Sequence, residues 1–87
     1  MSEESLLEFP CDIPIKVLGR NVDGFRATVV DIVSLHFEEP ADDDIRERLS
    51  RDNGYTSLTI TIRAKTREQV DALYRELSDS DDIMMVL

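Results

Sequence analysis

Cysteine, proline, glycine and tryptophan are scarce in this sequence. Its 87 residues include one cysteine (Cys11), three prolines, three glycines and no tryptophan. A single cysteine excludes an internal disulfide, so we expect a hydrophobic core to hold the fold together in a reducing compartment, the cytoplasm. The first residues do not resemble a signal peptide, and no run approaches the ~20 apolar residues of a membrane span. We therefore expect neither export nor membrane insertion.

Basic residues are also few. Ten Lys and Arg stand against nineteen Asp and Glu, which gives a formal net charge of −9. A field of that sign repels nucleic-acid phosphates and anionic lipids. Aromatic residues, on which β-sheets stack single-stranded RNA, make up only 6%. We predict no nucleic-acid partner and no membrane partner. The 41% hydrophobic and 33% charged residues are typical of a globular domain.

The first half of the chain predicts one strand followed by one helix. Apolar residues alternate from Cys11 to Val17, which is typical of a strand with one buried face. Gly19 is expected to end that strand, and Asn21 or Asp23 to cap a helix. The helix is predicted from apolar residues at helical spacing, namely Phe25, Val29, Ile32, Val33 and Phe37.

The second half predicts two strands, a helix and a final strand. Weak alternation over 45–50 favours an edge strand, and Asn53-Gly54 predicts a type I′ hairpin turn to a clear strand over 55–64. Thr66 to Gln69 forms a capping-box pattern before a second helix. A fourth strand is predicted over 83–87, with Met84 and Met85 in the core of the edge.

This βαββαβ order predicts an α+β, ferredoxin-like sandwich. Right-handed crossovers favour a four-stranded antiparallel sheet in the order 4-1-3-2, with both helices on one face and the other face open. Residues 1–11 are expected to form an N-terminal arm whose Leu6, Leu7 and Phe9 pack at an edge. Residues 12–87 are expected to form a single domain.

The alternation of the strands also predicts which side chains occupy the open face. We expect a locally basic surface there that binds a small anionic ligand or a protein partner. An alternative is that these long side chains only cover an exposed sheet. The predicted binding residues are Lys16, Arg46, Arg48, Thr59, Thr61 and Arg63.

Catalytic and metal-binding patterns are weak. The acidic residues over 38–44 lack the spacing of a calcium loop, and His36 has no second histidine, so no metal, cofactor or catalytic residue is predicted. The one alternative is an anion loop with Gly19, Arg20 and Gly24, which resembles that of acylphosphatases. The Val-Gln-Gly core and the catalytic asparagine of that family are absent.

Seven runs of the sequence together match a known family, namely Leu6–Pro10, Lys16–Gly19, Gly54-Tyr55, Ser57–Ile62, Glu68–Val70, Leu73–Leu77 and Met85–Leu87. With these runs the chain resembles the YbeD-like family of small bacterial proteins of unknown function. The resemblance spans nearly the whole chain and departs from the family over 38–51. It implies a ferredoxin-like fold similar to ACT-type regulatory domains, with no catalytic residues to carry over.

These observations predict a non-catalytic, ACT-like regulatory or binding module of the bacterial cytoplasm. It is expected to act through its open sheet face or a strand edge, and the edges formed by the second and fourth strands are expected to allow a homodimer. The alternative is an acylphosphatase-like hydrolase that uses the loop from Gly19 to Gly24.

Overall fold

Four strands and two helices follow one another in the computed structural model, which describes residues 8–87. The predicted arm therefore lies largely outside the described residues, and its contacts stay a prediction. A 3₁₀ turn over Asp42–Asp44 precedes the second strand. The elements are β1 (Cys11–Arg20), α1 (Phe25–His36), β2 (Ile45–Leu49), β3 (Tyr55–Ala64), α2 (Arg67–Asp79) and β4 (Ile83–Val86).

The strands form one antiparallel sheet in the order β2-β3-β1-β4. The predicted strand order is confirmed, and β3 has the predicted bounds. β1 and β3 pair along their full length, from Cys11 opposite Ala64 to Arg20 opposite Tyr55. Two ten-residue strands at the centre therefore form the frame, with the shorter β2 and β4 as its edges.

One face of the sheet and both helices enclose the core. Alternate residues of β1 and β3 point into it, because successive side chains of a strand lie on opposite faces. Leu58 and Val17 are completely buried there. The helices close the layer with Phe25, Val29 and Val33 from α1 and with Leu73 and Leu77 from α2. No helix within residues 8–87 is long and apolar enough to cross a membrane.

The N-terminus of α1 differs from the prediction. Its N-cap is Gly24 in the left-handed conformation, with φ 86°, and no side chain caps the helix. Asn21 instead donates from Nδ2 to the Asn53 carbonyl oxygen at 2.8 Å, and its backbone N–H donates to the Gly54 carbonyl at 3.0 Å. The prediction of an Asn21 or Asp23 cap is wrong because the amide of Asn21 serves a tertiary contact with the β2–β3 connection.

Gly19 lies inside β1 rather than ending it. A Cβ at this position would lie 2.6 Å from Phe25 Cζ and 2.7 Å from the Asp82 carbonyl oxygen. Carbon atoms in contact are normally about 3.5–4.0 Å apart. The glycine is therefore required by the close approach of α1 and of the segment before β4, and the predicted strand end at this residue is wrong.

The connection from β2 to β3 is longer than a two-residue turn. Asn53 has a positive φ of 60°, and Gly54 is not among the residues with positive φ. The Asp52 carboxylate accepts hydrogen bonds from Ser50 Oγ at 2.8 Å and from Gly54 N–H at 3.0 Å. The predicted type I′ turn is therefore wrong, because side-chain acceptors shape a wider loop.

The capping box of α2 is confirmed. Thr66 Oγ1 accepts from the Gln69 N–H at 3.3 Å, and Gln69 Oε1 accepts in return from the Thr66 N–H at 3.3 Å. Two backbone donors of the first turn are thereby satisfied. The reciprocal bonds fix where β3 ends and α2 begins.

The last strand is less buried than predicted. Ile83 faces the core, whereas Met84 and Met85 are 60% and 52% exposed. The register between β1 and β4 shifts between Leu18 and Gly19. Met84 leaves the core by ordinary alternation after Ile83, and the irregularity keeps Met85 out of the core as well, so the prediction of both as core residues is wrong.

Candidate functional site

The centre of the open face consists of two rows of paired side chains. Residues opposite one another in an antiparallel pair point to the same face. Arg46 lies opposite Thr59, and Thr59 lies opposite Lys16 in the next strand. One row therefore crosses β2, β3 and β1 with a guanidinium and an ammonium group on either side of a hydroxyl group. In the neighbouring row, Arg48 lies opposite Ser57.

Thr61 and Arg63 continue the same face toward the end of β3. Arg63 lies opposite Asp12, and its Nη1 is 3.1 Å from Asp12 Oδ1. Both side chains are more than half exposed, so the pair contributes little to stability. All six predicted binding residues therefore share one face, and their role in binding stays a prediction.

Arg20 is a fifth basic residue on this face. The sequence pattern predicts a loop at Arg20, because Gly19 is expected to end the first strand. The strand runs through Arg20, which lies opposite Tyr55 and two residues along β1 from Leu18. Alternation carried three residues past Val17 would have placed Arg20 on the open face.

An apolar patch that the sequence did not reveal adjoins the basic rows. Leu18 lies opposite Met85, and Leu87 exchanges backbone hydrogen bonds with Lys16 at 2.8 and 3.1 Å. Met85 and Leu87 are 52% and 59% exposed. The open face is thus basic toward β2 and apolar toward β4.

Charge is strongly segregated between this face and the rest of the molecule. The open face of the strands holds five of the ten basic residues and one of the nineteen acidic residues, Asp12. Its formal charge is therefore +4, which leaves −13 on the rest of a chain of net charge −9. Among residues 8–87, only Arg63 of the five has a carboxylate within ion-pair distance. Four cations face solvent without a carboxylate partner in that range.

The connection between β1 and α1 differs in geometry from the predicted acylphosphatase-like anion loop. Gly19 and Arg20 belong to β1, so the connection to α1 is shorter than predicted. At its far end Arg26 already lies 3.5 Å from Asp42 and 3.4 Å from Glu47. The predicted loop from Gly19 to Gly24 is therefore wrong as a structural unit, and the associated hydrolase activity stays a prediction.

A cavity at one end of the open face is bordered by two of the predicted binding residues, Thr61 and Arg63. It has a volume of about 1010 Å³ and is lined by the end of α1, the following segment and the neighbouring ends of β1 and β3. Its lining contains Arg63 and Lys65 but also four carboxylates, those of Asp12, Glu38, Glu39 and Asp44. This balance does not favour an anionic ligand.

His36 and the acidic linker do not form a metal site. His36 Nε2 lies 2.8 Å from Glu76 Oε1 and so joins α1 to α2. No group of three metal-ligating side chains comes together among residues 8–87. The histidine is a contact between helices, on the side of the sheet away from the basic rows.

Comparison with known proteins assigns the family. Residues 4–87 match the family described as "Protein of unknown function (DUF493)". The chain belongs to the DUF493 family. A UPF0250 protein of Nitrosomonas europaea, NE1487, is 44% identical over all 87 residues of both chains. Another UPF0250 protein, from Janthinobacterium sp. (strain Marseille), is 46% identical over 97% of this chain and 92% of its own length. The resemblance to the YbeD-like bacterial family is confirmed.

Two solved structures of low sequence identity confirm the ferredoxin-like fold. Protein HP0495 from H. pylori matches with a TM-score of 0.72 and 12% identity, over 93% of this chain and 85% of its own. The ACT domain from GTP pyrophosphokinase of Chlorobium tepidum matches with a TM-score of 0.64 and 18% identity, over 87% and 94%. At these identities the likeness shows the ACT-like fold alone.

Proposed function

We propose that this DUF493 protein is a non-catalytic regulatory module whose open sheet face binds an acidic surface of a protein partner. The observation that carries the proposal is the charge segregation, with five basic residues and one acidic residue on a face of a molecule whose net charge is −9. Complementary potentials steer such a face toward an anionic partner and select against basic ones.

The shape of the face supports a protein surface over a small molecule. Small-molecule sites are concave and enclose most of the ligand. Lys16, Arg46, Arg48 and Thr59 line none of the three cavities described in residues 8–87. The residues of this face that do line a cavity, Thr61, Arg63 and Arg20, share it with carboxylates. Guanidinium groups in two adjacent rows suit carboxylates displayed along a strand or helix of a partner, because a planar fork binds a carboxylate with two parallel hydrogen bonds.

The similarity of fold to an ACT domain supports a regulatory role. One solved structure of similar fold is the ACT domain from GTP pyrophosphokinase of Chlorobium tepidum, and ACT-type domains are the regulatory domains that the sequence resemblance implies. In the described sheet, the hydroxyl groups of Thr56 and Ser57 both donate to the Arg48 carbonyl oxygen rather than to a side-chain base, which favours binding over catalysis. A module of this kind would change a partner by occupying its acidic surface.

A labelled octaglutamate peptide tests the proposal directly. We expect it to bind the wild-type protein at low salt, and the double variant Arg46→Ala/Arg48→Ala to weaken binding by about tenfold, which corresponds to about 1.4 kcal/mol. The matched control is Arg67→Ala/Arg75→Ala on α2. Both variants change the net charge from −9 to −11, so net charge alone predicts equal losses.

The outcomes separate three explanations. A loss confined to Arg46→Ala/Arg48→Ala supports the open face as the binding surface. Equal losses in both variants, or no binding at all, would contradict it. Competition by citrate or pyrophosphate at equimolar concentration would instead assign the face to small anions, and would overturn the choice of a protein partner.

A further inference from the structure

The two edge strands of the sheet differ in the charged side chains that oppose pairing with another strand. β2 carries Arg46, Glu47 and Arg48 in succession, and charged side chains are a common protection of edge strands. The chain from Ile83 to Leu87 has no charged side chain and no proline. Met84 is 60% exposed at this edge. Within residues 8–87, the edge formed by β4 is therefore the one without charged protection.

Backbone groups of β4 are available for pairing. Leu87 exchanges both backbone hydrogen bonds with Lys16 of β1, at 2.8 and 3.1 Å. In an antiparallel pair, neighbouring residues alternate between bonding to the paired strand and pointing away from it. The N–H and C=O of Val86 therefore point outward, where the described part of the chain supplies no fifth strand.

We propose that two copies of this chain pair through their β4 edges, antiparallel and about a twofold axis, to form a continuous eight-stranded sheet. This proposal does not rest on the acidic partner proposed above. A twofold interface brings the same surface of both copies together, so each edge must be compatible with itself.

Self-pairing through β2 opposes like charges in each register that pairs three or more of its residues and keeps the helices of both copies on one side. Opposite residues must then face the same way, so Arg46 meets Arg46 or Arg48 of the second copy, or Arg48 meets Arg48. Like charges directly opposite destabilise a sheet. No register of Ile83–Leu87 opposes two charged side chains. Charge therefore disfavours self-pairing through β2 and permits it through β4.

The apolar patch of the open face supports the same pairing. With Met85 opposite Met85 of the second copy, the two Leu18–Met85 pairs join into one apolar row across the twofold axis. Met85 and Leu87, now 52% and 59% exposed, would lose contact with water. The two basic regions would lie on either side of that row, on the same face.

Sedimentation of the full chain tests the dimer. We expect a mass of twice 9.9 kDa at concentrations between about 10 μM and about 1 mM. Met85→Lys would place two ammonium groups opposite one another, and Val86→Pro would remove an outward N–H that β1 does not use. Both variants should sediment as monomers, with circular dichroism spectra like that of the wild type.

The matched control is Leu49→Lys on the other edge. Leu49 is 46% exposed in β2, so the same change from apolar to basic is made at the edge that is not expected to pair. The Leu49→Lys variant should remain a dimer.

A wild-type protein that is monomeric at every concentration would overturn the proposal. So would a Met85→Lys dimer, or dissociation by Leu49→Lys alone. Arg46→Ala/Arg48→Ala should stay dimeric, which separates this result from the binding experiment.

Discussion

The two faces of the sheet share every strand and differ in what their side chains meet. On the helix-covered face, Val17 and Leu58 are completely buried against α1 and α2. Lys16 and Thr59, the respective neighbours of Val17 and Leu58, lie on the solvent-exposed face and are not part of the core. Neighbouring residues of one strand therefore serve different properties, one the stability of the core and the next the proposed recognition of a partner. Substitutions can therefore be chosen to change one property without the other.

The largest effect is expected from truncating a side chain of the covered face. Leu58→Ala should lower the free energy of unfolding by about 2–5 kcal/mol, because it removes a completely buried side chain and leaves a cavity. Thr59→Ala, the next residue on the open face, should change it by less than about 1 kcal/mol. Urea unfolding of both variants measures the contrast. Similar losses in the two would show that the faces are not separable.

A smaller effect is expected from adding one methyl group at Gly19. Gly19→Ala should lower the free energy of unfolding by about 1–3 kcal/mol, because its Cβ would overlap the Phe25 ring and the Asp82 carbonyl. The control is Gly54→Ala, whose Cβ would meet only the Asp52 carboxylate, at 3.3 Å. Thermal unfolding of the two variants should show a clear loss for Gly19 alone. Equal melting temperatures would mean that the covered face has room to relax.

The smallest effect is expected at Asp52, which belongs to neither face. Hydrogen bonds from the Gly54 N–H and from Ser50 hold the pKa of its carboxyl below the ordinary value of 3.8. A lowered pKa in the folded state stabilises the fold above the unfolded value and loses that contribution as the pH falls through the folded value. The stability difference between wild type and Asp52→Ala should therefore shrink below about pH 4. A difference that is constant from neutral to strongly acidic pH would contradict this.

Local patterns in the sequence were sufficient for most of the fold. The alternation over β3 and the reciprocal side chains of Thr66 and Gln69 act between near neighbours, so they could be read from short windows. The role of Gly19 could not, because it depends on an approach by Phe25 and Asp82 that only the tertiary structure creates. The same holds for Asn21, whose amide binds a carbonyl 32 residues away.

The candidate site was predicted in part. Strand alternation was enough to place Lys16, Arg46 and Arg63 on one face. Arg20 was missed because a glycine was interpreted as a strand end. The exposure of Met85 was missed because the irregular register between β1 and β4 leaves no trace in the alternation.

The charge segregation of the molecule also has a consequence for the speed of encounter. With +4 on the open face and −13 elsewhere, the protein is an electric dipole as well as an anion. A negatively charged body that approaches from the side of the helices is repelled, while the torque on the dipole turns the basic rows toward it. Such orientation raises association rates and fades as salt shortens the Debye length, which is about 8 Å at physiological ionic strength. The molecule would thus be oriented with its open face toward an acidic partner before the two surfaces touch.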